Sequence, residues 1–178
     1  VFAQEEEPAA EETEKKADKP ARDAFESAWW FDAQSGLVYD KNTLEFVIQH
    51  RFGNINNGLT DVWGIYGSTN IRLGMAYAPI DKLNVGFGYT KNKQILDIYA
   101  KYGILNQTQS NSMPISLAYS GNMGMELLDG QNYSNSSDRY SYFHSLIISR
   151  RFNKKLSAQL SPSYSHYNAV DWIAQEDG

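Results

Sequence analysis

Three histidines, His50, His144 and His166, are the side chains of this 178-residue chain best suited to hold a metal or move a proton. Imidazole ligates transition metals and titrates near neutral pH, so its spacing is weighed first. No H-x-H or HExxH pattern brings two of the rings together on one element. Lipid hydrolysis by a barrel would need a lipid-facing His and Ser two apart on one strand, with a polar group to orient the ring. The residue two after His144 is Leu146, and the residue two before His166 is Tyr164. The chain contains no Cys, which removes thiolate nucleophiles, disulfides, thiolate metal sites and haem attachment together. The spacing predicts no catalytic residue, no metal site and no cofactor, and a protein that is not an enzyme.

A second set of polar groups is more regular. Glu45, Gln49, Arg51, Arg72, Asp97, Lys101 and Arg151 each stand opposite the oily side of their own segment. Unpaired charge is costly in a low-dielectric wall, so these groups are predicted to pair with one another or with water. Such a constellation either selects a passing solute or forms a structural network that plugs a narrow lumen. Gly74, Gly86 and Gly88 resemble a phosphate-binding loop in composition only, since they recur at period two with no helix following. They mark places where a large side chain from a neighbouring strand crosses over.

The elements that position these residues follow from the same period. In residues 43–53, Leu44, Phe46, Ile48 and Phe52 fall on one side, and Glu45, Gln49 and Arg51 on the other. That alternation is a strand with one oily and one polar face. It recurs in 67–79, 83–91, 95–104, 113–120, 140–152 and 156–166. These seven ribbons are about eight to twelve residues long, enough for a tilted strand to cross a bilayer. The polar faces are Gly, Ser, Asn, Gln and charge, which suits a wet or polar-packed interior.

Composition agrees. Aromatic residues make up 13% of the chain, led by 12 Tyr, as in domains that sit at membrane interfaces. Mean hydropathy is −0.53, and no run of about 18 apolar residues exists to form a transmembrane helix. Neither excludes a barrel, whose strands show lipid only at alternate residues. Trp29, Trp30, His50, Phe52, Tyr77, Tyr89, Tyr102 and His144 are predicted to form the girdle at the headgroup layers.

The net charge of −5 is unevenly placed. Residues 1–24 hold eight acids and four bases, leaving 13 acids and 12 bases in the rest. A nearly neutral body argues against nucleic acid as a partner. Residues 1–3 read as the remnant of a signal peptide, and 4–24 as a disordered acidic tether that lacks the apolar side chains to order itself. Residues 24–39 hold Phe25, Trp29, Trp30 and Phe31, too many aromatics for a linker. Three readings stand for them: an interfacial helix, a plug, or a first partial strand. The connections 79–82 and 153–155 are tight, whereas 54–64 and 121–139 are long and polar. With a periplasmic amino terminus, both tight turns fall in the periplasm and both long loops outside. Seven ribbons leave an unpaired edge, so residues 25–178 are expected to be an amino-terminal part of an antiparallel transmembrane β-barrel, the alternative being that residues 29–39 supply an eighth strand.

Several segments carry a family resemblance: FES-W at 25–29, LEFVIQHRFG at 44–53, NNG at 56–58, STNIRLG at 68–74, APIDKLNVGFGYTK at 78–91 and SLIISRRFNKKLSAQLSPSY at 145–164. Over residues 24–168 the chain resembles an uncharacterised outer-membrane β-barrel family of Bacteroidota, a domain of unknown function. The resemblance implies a signal peptide, an outer-membrane location and further strands, and it implies no catalytic residue. The expected partners are outer-membrane lipid and, in a complex, other outer-membrane or periplasmic proteins. The expected role is structural or complex-forming. A porin-like channel for small polar solutes is the alternative, with a barrel enzyme behind both.

Overall fold

The computed structural model describes residues 18–30, 33–128, 133 and 135–169. A two-residue hairpin comes first, β1 (Trp29–Trp30) with β2 (Ala33–Gln34). The main strands are β3 (Leu44–Arg51), β4 (Asn70–Ile80), β5 (Leu83–Thr90), β6 (Ile95–Leu105), β7 (Ser116–Glu126), β8 (Tyr140–Arg151), β9 (Ser157–Leu160) and β10 (Ser163–Tyr167). They form one up-and-down antiparallel sheet in the order β10-β8-β7-β6-β5-β4-β3, with β9 also on β8. Strands β9 and β10 are one ribbon in one register, since Leu160 faces Ile148 and Ser163 faces Ser145. Pro162 lies in the gap between them and has no N–H to give a ladder, which an edge ribbon tolerates. The seven ribbons read from the period are therefore the seven of the sheet.

One boundary differs from expectation. Strand β7 runs on to Glu126, through residues assigned to a long loop from 121. Asn122, Gly124 and Glu126 continue the inward side and pair with β6, although Gly and Asn lower the local strand preference. The loop that remains, 127–139, is still long. At the opposite end, Asp81 and Lys82 alone join β4 to β5, and the Asn153 side chain accepts from the Lys155 and Leu156 N–H groups to close the 152–156 turn. The register of β4 against β5 shifts between Tyr77 and Ile80, at Pro79.

The sheet is inside out relative to a water-soluble domain. Phe46 and Ile48 are 62% exposed, Phe87 51% and Ile98 49%, whereas Asn84, Lys101 and Ser149 are almost wholly buried. So large an apolar face is unsustainable in water and suits hydrocarbon. The sheet curls into a half-barrel with the polar face concave. Among the described residues no helix is long and apolar enough to cross a membrane, which says nothing of crossing by strands.

Residues 18–30 and 33–43 occupy the concave side. The chain comes in along the connection between β6 and β7, where Pro20 bridges to Thr108 and Ala21 N–H donates to the Gln107 carbonyl. It rises to the β1–β2 hairpin and turns back. Gly36 then meets Ser149 of β8 and Gln159 of β9, Tyr39 N–H donates to Asn84 of β5, and Lys41 N–H donates to Asp81 at the tight turn. One short segment reaching β5, β8 and β9 shows how far the sheet wraps around it. Of the three readings for residues 24–39, the plug is the one observed. Residues 18–24, expected within the tether, already lie along the barrel: Asp18 accepts from Ser110 and Ser112, the latter at 2.7 Å. The signal-peptide remnant and the rest of the tether fall outside the described residues, as does Phe31.

Candidate functional site

The inward polar residues form two layers on the concave face. In the upper one, Arg72 of β4 reaches over β5 to Asp97 of β6 in a two-pronged pair, Nε to Oδ1 at 2.9 Å and Nη2 to Oδ2 at 2.5 Å. Its Nη1 donates to Gln49 of β3 at 3.2 Å. The crossing is possible because Gly88 lies between them. A Cβ there would sit inside the guanidinium, and at Gly86 it would come within 2.6 Å of the Tyr99 ring. Gly86 and Gly88 are thus crossover positions as read, whereas at Gly74 the side chain that passes is Arg72 of the same strand. Both partners of the pair have side chains about one-tenth exposed, so the fork replaces most of the water each charge would have had.

Trp29 closes the upper layer from below. Its ring lies 5.0 Å from the Arg72 guanidinium carbon and stands edge-on to Tyr99 at 5.5 Å. The girdle position expected for Trp29 is thus corrected, because the hairpin carries this ring into the lumen, where a cation–π contact and an aromatic edge hold it. Trp30 packs on Phe25 at 4.4 Å, within the same plug.

The lower layer binds the plug to the wall. Lys101 is 1% exposed, and its Nζ donates to the Ser35 carbonyl at 3.3 Å. Tyr39 donates its hydroxyl to Glu45 at 2.5 Å, and burial first, then that bond, pushes the phenol pKa upward. Buried Gln107 exchanges two hydrogen bonds with the Arg151 backbone, and the Arg151 guanidinium donates to the Asp23 carbonyl. At the entry, the Ser110 hydroxyl and then that of Ser112 lower the Asp18 pKa to about 2. Glu45, Gln49, Arg72, Asp97, Lys101 and Arg151 therefore all meet partners on the concave side, and Arg51 has a partner as well.

Above the plug the concave face keeps a cavity of about 350 Å³. Its floor includes Trp29 and Gln34 from the hairpin and the Arg72–Asp97 fork, with Arg51 at one side. Ser120, Ser145 and Ser163 lie level across three neighbouring strands, and Asn122 and Phe143 complete the wall. Ser163 donates to Ser145 at 3.0 Å and Ser120 to Gln34 at 3.2 Å.

On the convex face stand Tyr77, Tyr89, Tyr102, His50, Phe52 and His144, all outward and exposed. Tyr77 donates to Asn42 at 3.0 Å at the tight-turn end, and His50 lies 4.6 Å from Phe52 near the other. The His144 Nδ1 lies 2.7 Å from the Tyr119 hydroxyl, and His166 stacks on Tyr142. The histidines stay apart, and no group of three metal-capable side chains occurs among the described residues.

Some residues of the site carried no signal of their own. Asn84 and Ser120 were visible only as members of a polar face, Asn122 was assigned to a long loop, and Gln107 lies in a turn without periodicity. Phe143 and Ile147 are apolar on the inward side of β8, against the alternation. Ile147 is buried beneath Gly36 of the plug, which the strand pattern alone does not reveal.

A family model described as a membrane-bound β-barrel domain, a domain of unknown function, matches residues 25–177, and the chain belongs to that family. No curated protein and no solved structure matches it.

Proposed function

We propose that this member of the membrane-bound β-barrel family is an outer-membrane protein with a structural or complex-forming role, neither an open pore nor an enzyme. The observation that carries the reading is the plug. Residues 18–30 and 33–43 enter and leave at the tight-turn end and fill the lumen there, tied by Lys101, Glu45, Asn84 and the Gln107 carbonyl. A diffusion channel needs that path open. Short turns on the periplasmic side would place the amino terminus and the plug entry in the periplasm. Tyr77, Tyr89, Tyr102, His50, Phe52 and His144 would then mark the headgroup layers. The loop at the other end supports complex formation. Ile55, Leu59, Trp63 and Tyr66 are 56–82% exposed, as residues awaiting a partner are. Other outer-membrane or periplasmic proteins are the proposed partners, beside lipid.

Planar-bilayer recording of the full-length protein tests this directly. No ion-conducting steps are expected, and a steady ohmic conductance would overturn the reading in favour of a channel for small polar solutes. Stoichiometric co-purification of a partner from native membranes, lost when Leu59, Trp63 and Tyr66 are changed to Ser, is the expected companion result.

A further inference from the structure

The cavity above the plug is not used by a structural or complex-forming role, and its chemistry is specific. We infer that it is a binding site for a small neutral saccharide. The pairing of its groups argues for hydroxyls over ions. Arg72 is neutralised by Asp97, so the fork presents oriented donors and acceptors with little field of its own, and Arg51 stands at one side of the cavity as a further hydrogen-bond donor. Asn122 donates to Asp97 at 3.4 Å and lines the cavity, offering an amide dipole. The level serines across β7, β8 and β10 are each donor and acceptor, matching a ligand whose hydroxyls are both.

Two aromatic surfaces complete the match. Trp29 lines the floor and is held in place by Arg72 and Tyr99, which makes the ring rigid. Phe143 is inward on β8, and unlike Ile147, which the plug covers, it is 39% exposed beside the cavity. Among the described residues it makes no ring–ring contact, so the packing of the fold does not explain it. Apolar C–H faces and polar hydroxyl edges alternate on a pyranose ring, and a wall of rings beside amides and serines accepts both. The volume, about 350 Å³, lies at the low end of ordinary small-molecule sites of about 300–1,000 Å³, which suits a mono- or disaccharide.

The test is calorimetric titration of the detergent-solubilised full-length protein with glucose, galactose, mannose, maltose and lactose, and separately with inorganic phosphate. Binding of at least one sugar is expected, weakened about tenfold in N122A and in F143A while heat-modifiable gel migration stays that of the wild type. The idea is overturned by silence from all five sugars up to millimolar concentration. It is equally overturned by phosphate binding alone, or by sugar binding that both variants leave unchanged. A failure here leaves the plugged-barrel reading intact, because that reading is tested by conductance.

Discussion

Replacing Asp97 with Asn removes the charge that the Arg72 guanidinium was brought across β5 to meet. The two hydrogen bonds of the fork, at 2.5 and 2.9 Å, are both charge-assisted. What remains around Arg72 is Gln49 at 3.2 Å and the face of Trp29, neither of which carries a negative charge. Breaking a buried pair by removing one partner typically costs about 3–5 kcal/mol. The side chains here are about one-tenth exposed and border a cavity, so water relieves part of the penalty and we expect about 3 kcal/mol. Removing both partners, as in R72M/D97N, leaves no buried charge behind and should cost about 1 kcal/mol. The cycle then gives a coupling of at least about 2 kcal/mol. Urea unfolding of the full-length protein refolded into lipid vesicles, followed by tryptophan emission, reads all four corners. If D97N falls within about 0.5 kcal/mol of the wild type, or the double variant loses as much as the single changes summed, the fork is not holding the lumen together.

Two further expectations concern the crossover glycines and the plug entry. G86V drives a branched side chain into the Tyr99 ring, and the strand pairing on both sides of β5 leaves little room to shift. Overpacking of this kind should cost about 1–3 kcal/mol, partly recovered in G86V/Y99A, and wild-type stability in the single variant would refute the steric account. For Asp18, the folded carboxyl titrates at about 2, below its ordinary value of 3.8. The contact with Ser110 and Ser112 is therefore in full force above pH 3.8 and is lost as the pH falls towards 2. Amide exchange around residues 18–24 should accelerate across that window in the wild type, whereas S110A/S112A should show faster exchange at neutral pH and a weaker dependence.

The wall of the barrel was legible because lipid and a polar lumen impose a two-residue period with sharp contrast. Leu44, Phe46 and Ile48 against Glu45 and Gln49 are enough to assign a face to every residue between them. The plug was less legible. Its residues make few regular backbone pairs, and Trp29 and Trp30 carry the same composition whether they face headgroups or a guanidinium. What decides between those fates is Arg72, forty-three positions along the chain and displayed by a different strand. The inward Phe143 and Ile147 were lost for a related reason. Alternation reports which side a residue is on, and an apolar residue on the polar side contradicts it unless the object packed against that side is already known.

The seven ribbons also set the arithmetic of closure. Strand β3 runs from the tight-turn end to the long-loop end, and so does the ribbon of β9 and β10, because the six antiparallel steps between seven ribbons return the chain to its starting polarity. A seam made directly between them would be parallel. A second copy inserted the same way up changes nothing, since rotation about an axis along the barrel preserves every strand's direction and sets β10 beside a parallel β3. A ring that stays antiparallel at every step must place an odd number of strands between these two edges, which makes its total even. The polarity of the two edge strands thus means that an all-antiparallel ring needs an odd number of strands beyond the seven ribbons of the described residues.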